Sequence, residues 1–279
     1  MPELPEVQTT VNGLNKTVKG RKIVGVWTDY KSAHAMHAES IKNPKYFAKF
    51  KKVVVGAKIK GARRRAKNIL IELDNGETIL VHMKMTGHFV YNPPAKYPFV
   101  HLIFELDNGK ELAFSDLRKF AKVTLFKDEH LEKLGPEPLD KNFSYPIFKS
   151  HLLKRPKGKI KQVLMDQSVV AGIGNIYSDE ILWLAGVHPL SIVQKIPEKN
   201  IKLMYKAALH TLRKGIDFGG DSTSDYRNID GKPGRFQATH NAYQRTGEKC
   251  KKRDGGTMKR IVVGARSAHF CPVHQKLFK

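Results

Sequence analysis

Ile69-Leu70-Ile71-Glu72-Leu73-Asp74-Asn75-Gly76-Glu77-Thr78-Ile79-Leu80-Val81 decides the first half of the fold. Two apolar, largely β-branched runs flank an Asn-Gly pair, the signal of an antiparallel hairpin whose turn fixes the register of its strands. The same grammar recurs where Asp107-Asn108-Gly109 follows Leu102-Ile103-Phe104-Glu105-Leu106. Lys22 to Trp27, Val53-Val54-Val55 and Val123 to Phe126 read as further short strands, so residues 22 to 130 are expected to form a sandwich or barrel. One helix precedes them, from Val7 to Leu14, with Pro5 and Glu6 suited to its first turn.

Working toward the C-terminus, the strand pattern breaks at Gly135-Pro136-Glu137-Pro138, Pro146 and Arg155-Pro156-Lys157-Gly158. Ile160 to Asp166, Tyr177 to Ala185 and Leu203 to Gly215 then space apolar residues at helical intervals. Asp217 to Arg235, rich in Gly, Ser, Asp and Asn, reads as a mobile loop. The expected class is α+β and multidomain. Its parts are a β-domain over 1–140, a linker over 141–158, a helical domain over 159–240 and a small basic module over 241–279.

The 279 residues carry 50 Lys plus Arg against 26 Asp plus Glu, a formal charge of +24. That excess calls for a polyanion, and nucleic acid leads because neutralising phosphates releases counterions. No apolar run is long enough to span a bilayer, and the first residues lack a signal-peptide core, so an intracellular protein acting in the cytoplasm or nucleoid is expected. Cys250 and Cys271 are the only cysteines, which fits a reduced or metal-bound pair better than a disulfide framework.

Chemistry is concentrated at Met1-Pro2-Glu3-Leu4-Pro5-Glu6. Removal of Met1 would leave a secondary amine beside a carboxylate. An α-amino group has a pKa of roughly 7.7 to 8.0, so far more of it is unprotonated at neutrality than of a lysine. Attack by such an amine on a sugar C1′ gives an iminium directly, with Glu3 placed to shuttle protons. A proline-rich extended leader is the plainer reading of the same residues.

Other segments point the same way. Gly172-Ile173-Gly174-Asn175 lets backbone approach a ligand at the start of a helix, as a phosphate clamp or simply as a turn. Asn175 can cap that helix or donate its amide to a phosphate. Arg63-Arg64-Arg65-Ala66-Lys67 is either a charged strand edge or a lysine facing a phosphate. Met85, Arg118 and Phe120 have the flexible, planar and aromatic shapes that fill the gap left by an extruded base, and each suits core or surface as well.

Taken in order, Pro2-Glu3-Leu4-Pro5-Glu6, Arg64 to Lys67, Leu134 to Leu139, Gly172 to Tyr177 and the C-terminal cysteine module resemble the formamidopyrimidine-DNA glycosylases over essentially the whole chain. The first of these motifs looks like that branch rather than the related endonuclease VIII branch, which prefers oxidised pyrimidines. The resemblance implies an N-terminal β-sandwich and a C-terminal helix-two-turn-helix domain that ends in a zinc-finger-like β-hairpin. Damaged duplex DNA would be the partner of a monomer with no membrane contact. It further implies Pro2 as nucleophile, Glu3 as general acid or base, Lys67 as the catalytic lysine of a β-turn, and Glu6 as a further acidic group. Met85, Arg118 and Phe120 would enter the duplex, and His101, Lys119 and Asn175 would contact phosphates. The segment Ser224, Asp225, Tyr226 and Arg227 would cover the extruded base. The implied activity is excision of oxidised purines with successive β- and δ-eliminations, requiring no cofactor for the chemistry. An oxidised-pyrimidine enzyme and a non-catalytic nucleic-acid binder are the alternatives.

The cysteine module departs from the family pattern of two Cys-x2-Cys pairs. Here Cys250-Lys251-Lys252-Arg253-Asp254 is followed by Cys271-Pro272-Val273-His274. Histidine is a good zinc ligand, whereas Arg253 cannot bind a metal and Asp254 stands one residue too far. The expectation is one zinc ion on Cys250, Asp254, Cys271 and His274, with a metal-free hairpin held by packing as the competing reading. Arg266 matches a hairpin arginine that contacts phosphate.

Overall fold

The computed structural model describes residues 1–32 and 38–279. The chain divides into two compact units, residues 1–130 with 218–235, and residues 131–217 with 236–279. No helix among the described residues is long and apolar enough to cross a membrane.

In the first unit, α1 (Leu4–Thr17) begins three residues before the expected start. Glu3 is its N-cap, and a capping box forms in which Glu3 and Glu6 each accept a backbone N–H of the other. Two four-stranded antiparallel sheets follow. One has the order β1 (Ile23–Thr28), β6 (Val100–Leu106), β7 (Glu111–Ser115), β5 (His88–Tyr91). The other runs β2 (Ile59–Arg65), β3 (Asn68–Leu73), β4 (Thr78–His82), β8 (Lys122–Leu125). Val7, Val11 and Leu14 of α1 join Ile69, Ile71, Phe89 and Phe104 in one core.

Both expected hairpins form, with Ile71 opposite Ile79 and Glu105 opposite Glu111. Each turn holds three residues rather than two, closed by Leu73 N–H to Glu77 O and by Leu106 N–H to Lys110 O (2.9 Å each). Gly76 (φ 85°) and Gly109 (φ 71°) take the left-handed third position such loops require. The basic run 63–67 lies at the end of the edge strand β2, where charge discourages pairing with another chain.

Val53-Val54-Val55 is not a strand. It ends α2 (Pro44–Val54), because Asn43 caps the helix by accepting from Lys45 N and Tyr46 N, Pro44 fits its first turn, and Phe50 and Val54 face the core. Capping and a 3.6-residue stripe override the β preference of valine. The segment 218–235, read from its composition as a mobile loop, packs within this first unit. Tyr226 (3% exposed) and Ile229 (5%) anchor it, and Ile229 O accepts Tyr91 N–H at 2.9 Å.

The second unit is helical. α3 (Tyr145–Leu152) occupies the stretch read as linker and buries Phe148 and Leu152. α4 (Ile160–Met165), α5 (Asn175–Ala185) and α6 (Glu198–Asp217) match the three expected helices. A hairpin of β9 (Lys259–Val263) and β10 (Arg266–Phe270) completes the module near the C-terminus.

Glu180, 1% exposed on α5, ties this module down. Its carboxylate accepts the backbone N–H groups of Asn241 (2.8 Å), Ala242 (2.8 Å) and Tyr243 (2.9 Å), and the Asn241 side-chain amide (3.0 Å). Every group facing it is a donor, so Glu180→Gln turns an amide N–H₂ against an N–H. We expect a loss of about 2 kcal/mol, on the scale of a hydrogen bond to a charged group. Thermal unfolding checks it: a melting temperature several degrees lower is expected, and an unchanged one contradicts the assignment.

Candidate functional site

Pro2 and Glu3 are buried at the start of α1, with Glu3 2% exposed. Glu6 (1% exposed) is a junction: Oε2 accepts Glu3 N–H at 2.7 Å and Oε1 accepts Asp221 N–H at 2.8 Å. Tyr226 Oη donates to the Glu6 carbonyl at 3.0 Å, so the helix that begins beside Pro2 is fastened directly to the 218–235 segment. Burial, with the Glu6 charge nearby, pushes the Tyr226 phenol well above its ordinary range, which keeps it a donor.

Lys67 (5% exposed) sits in the turn between β2 and β3, next to Ala66 in the left-handed conformation (φ 54°). Arg64 braces that turn against α1 by donating Nε to Gln8 Oε1 (2.9 Å) and Nη1 to Ala66 O (3.2 Å). Asn15 fixes the same helix to β2 through both backbone groups of Ala62, at 2.8 Å each. Pro2, Glu3, Glu6 and Lys67 are thus carried by two elements that hydrogen bonds lock together.

Met85, Arg118 and Phe120 line one cavity of about 700 Å³ together with Met1, Lys84 and Lys122. Phe120 is 50% exposed, and the Arg118 guanidinium stacks over its ring at 4.6 Å. His101 and Lys119 meet at one carboxylate, Asp29, with His101 Nδ1 at 2.8 Å and Lys119 Nζ at 3.4 Å. Of the 224–227 segment, Tyr226 is the anchor described above. Asp225 and Arg227 instead line a smaller cavity of about 190 Å³ with His88, Tyr97 and Leu117, and Arg227 donates to the Ser224 carbonyl at 3.2 Å.

In the second unit, Asn175 is the first residue of α5 and Gly174, not Asn175, is its N-cap. Asn175 Oδ1 is buried with no hydrogen-bond partner. Its carbonyl accepts from Lys161 Nζ at 3.2 Å, and the same fully buried ammonium pairs with Asp179 at 2.6 Å. Asp179 in turn accepts His269 N–H (3.0 Å) and holds its Nδ1 (2.9 Å), docking β10, which begins with Arg266, onto α5. Asn175 and Arg266 are therefore braced through a single buried carboxylate.

Cys250, Asp254, Cys271 and His274 come together, their ligand atoms all within 4.8 Å of one another. Arg253 takes the left-handed conformation (φ 55°) and is exposed, which absorbs the extra residue in the spacing and turns Asp254 inward. His274 Nδ1 lies 2.8 Å from Asp254 and 3.5 Å from Cys250 Sγ, while its Nε2 faces the Trp183 carbonyl at 3.0 Å. That second contact leaves the Nδ1 lone pair for the cluster. Burial alone would raise the Asp254 carboxyl. Hydrogen bonds from Gly256 N–H and from the Cys271 and Cys250 thiols outweigh it and hold the carboxyl down at about 2. Burial pushes the Cys271 thiol up.

Reading the sequence missed Asp29, Asp116, Asp221 and His82. His82 Nδ1 accepts Lys84 N–H at 3.0 Å, and burial with the Lys84 and Lys67 charges pushes its pKa to about 3, so it is neutral. A single Asp or His carries no periodic signal, and the three aspartates find partners far along the chain.

Comparison with known proteins agrees along the chain. Residues 1–123 match the formamidopyrimidine-DNA glycosylase N-terminal domain, and residues 134–227 match the H2TH domain of the same enzymes. The formamidopyrimidine-DNA glycosylase of Herpetosiphon aurantiacus is 40% identical over 286 residues, covering 99% of this chain and 100% of that protein. That of Ligilactobacillus salivarius is 36% identical, covering 98% of each. Among solved structures, Lactococcus lactis Fpg in complex with DNA containing an abasic site superposes with a TM-score of 0.86 at 32% identity, covering 98% of this chain and 99% of that one. A MutM complex with DNA containing carbocyclic 8-oxo-G gives 0.84 at 32% identity, covering 99% of this chain and 100% of that one. Two domain signatures in order, and relatives matched from end to end, establish that the chain belongs to the formamidopyrimidine-DNA glycosylase family.

Proposed function

We infer that this protein is a bifunctional DNA glycosylase and apurinic/apyrimidinic lyase that excises oxidised purines from duplex DNA in base excision repair. The observation that carries the reading is the N-terminus itself: Pro2 and Glu3 lead a capped, buried helix start that Arg64 braces against the turn bearing Lys67. A protein that only bound DNA would require none of these three residues.

Once Met1 is removed, the unprotonated Pro2 nitrogen attacks C1′ of the damaged nucleotide. The N–C1′ bond forms as the bond from C1′ to the base breaks, and the departing base takes up the proton that the Pro2 nitrogen gives up. Glu3 protonates the ring oxygen O4′, so the sugar opens and C1′ becomes an iminium. That cation acidifies C2′–H; loss of this proton expels the 3′ phosphate, and a second elimination expels the 5′ phosphate. Lys67 supplies a fixed positive charge for the negative charge that develops on leaving groups. Glu6 orients Glu3 and the 218–235 segment together.

Asn175, Arg266, His101 and Lys119 are assigned to phosphates. Met85, Arg118 and Phe120 fill the space the extruded base leaves, and Asp225 and Arg227 stand at the pocket that receives it. Cys250, Asp254, Cys271 and His274 hold one zinc ion, which stiffens the hairpin that presents Arg266. The protein acts on its DNA as a monomer, inside the cell at the nucleoid.

A lesion panel tests the substrate class. Single-turnover excision is expected to be faster on duplexes with 8-oxoguanine or a formamidopyrimidine than on duplexes with an oxidised pyrimidine; the reverse order overturns the assignment in favour of an endonuclease VIII-like enzyme. For the phosphate clamp, Asn175→Ala is expected to weaken binding to damaged and undamaged duplex by a similar factor, about tenfold, because phosphate contacts carry little base information. A titration in which only the damaged duplex loses affinity would sink it.

A further inference from the structure

Asp116 is fully buried just after β7, between the two segments assigned to gap filling. Its Oδ1 accepts the Thr86 hydroxyl at 2.6 Å, and its Oδ2 accepts the Tyr30 hydroxyl at 3.1 Å and Ala121 N–H at 2.8 Å. Thr86, adjacent to Met85, accepts the Arg118 N–H on its own Oγ1 at 3.1 Å. The Asp116 carbonyl accepts Lys119 N–H at 3.0 Å, and its N–H reaches the Phe99 carbonyl at 2.9 Å. Lys42, buried to 6% exposure, donates its ammonium to the Lys119 carbonyl at 2.5 Å, where the chain is held at φ 54°.

The donors around Asp116 explain why the residue is a carboxylate. Two hydroxyls and one N–H converge on its two oxygens, and burial first, then the Asp116 charge, raises the Tyr30 phenol far above its usual range so that it stays a donor. A neutral amide could keep an acceptor for Tyr30 and Ala121 on one side but could no longer accept the Thr86 hydroxyl on the other. Burying a carboxylate whose hydrogen-bond partners are all uncharged is a costly way to stabilise a fold, even with the Lys42 ammonium near enough to feel its charge. What the arrangement achieves is to tie a loop whose Leu117 (49%) and Phe120 (50%) side chains stand exposed to the separate stretch that carries Met85.

We propose that Asp116 is the positioning residue for gap filling. Its carboxylate fixes Thr86, and with it Met85, against the Arg118 to Phe120 loop, so that the three inserting side chains enter the duplex as one preset unit. The proposal rests on the reading of Met85, Arg118 and Phe120 as inserting residues. Asp116 touches neither base nor sugar; it acts through the geometry of the residues that do.

The test is Asp116→Asn in the full-length enzyme, on duplex DNA with 8-oxoguanine opposite cytosine and 2-aminopurine beside the lesion. A single strand carrying an abasic site serves as the second substrate, because it has no stacked gap to fill. The fluorescence rise that reports unstacking is expected to disappear. Single-turnover excision from the duplex is expected to fall between about tenfold and a hundredfold, while cleavage of the single-stranded abasic site stays near wild type. An equal loss on both substrates means general damage to the fold and overturns the proposal, as does an unchanged duplex rate. If Asp116→Asn does not fold, Thr86→Val removes the hydroxyl's bonds to Asp116 and to Arg118 N–H while leaving the other Asp116 partners in place, and is expected to show a smaller, duplex-only loss that Thr86→Ser restores; an undiminished duplex rate in Thr86→Val overturns the proposal. Met85→Ala separates the two levels: no fluorescence change there defeats the insertion reading, whereas loss there with none in Asp116→Asn defeats only the positioning role.

Discussion

Pro2→Gly is expected to leave damage-specific binding in place while cutting strand cleavage on the order of a hundredfold. The affinity side follows from where the DNA contacts are assigned. Asn175, Arg266 and the basic surface of a chain with a formal charge of +24 are untouched by the change. The rate side follows from chemistry. Glycine still offers an α-amine, but a primary one without the ring that fixes its direction, at a helix start where Pro2 is buried and Glu3 is the cap. Single-turnover cleavage on lesion-bearing duplex, with a binding titration on the same duplex, separates the two. Undiminished cleavage would remove Pro2 from the role of nucleophile.

Zinc removal should produce the second large effect. One equivalent of zinc is expected per chain, and stripping it with a strong chelator, or making Cys271→Ser, should abolish tight DNA binding. Apparent binding energies of structural zinc sites run to about 10–16 kcal/mol, more than the stability of most domains, so the module should not keep its shape without the ion. The donor arrangement supports this: Nδ1 of His274 faces the cluster while its Nε2 is held by the Trp183 carbonyl, and Gly256 stands where a Cβ would come within 2.4 Å of Cys271 Sγ. Elemental analysis with a titration before and after chelation checks it. A chain that contains no zinc as purified from zinc-supplemented cells, yet binds damaged DNA tightly, would favour the hairpin held by packing. An oxygen ligand in place of a thiolate also leads us to expect faster metal loss to the chelator than from a four-cysteine site.

Much of this was legible in the sequence because the signals were local. The Asn-Gly turns named their hairpins, the apolar spacing of 160–215 named its helices, and Asp254, one residue off the regular spacing, does come within 4.8 Å of the other three candidate ligand atoms. What the sequence hid was tertiary. Val53-Val54-Val55 has the composition of a strand, and only the Asn43 cap and the core beneath Phe50 make it a helix end. The 218–235 segment has the composition of a free loop, yet Tyr226 and Ile229 bury into the first unit, and Glu6 receives it from more than two hundred residues away. Asp116 had no motif of its own. Its function is defined by Tyr30, Thr86 and Ala121, which no window on the sequence brings together.

The central claim is that the N-terminal proline forms a covalent iminium with the damaged nucleotide. Borohydride trapping on a duplex with 8-oxoguanine opposite cytosine, followed by mass spectrometry of the adducted peptide, tests it most directly. The expected result is a crosslink whose sugar remnant sits on the nitrogen of Pro2, in a peptide that lacks Met1. A crosslink on Lys67 or another lysine, or none at all while the damaged duplex remains tightly bound, would contradict it.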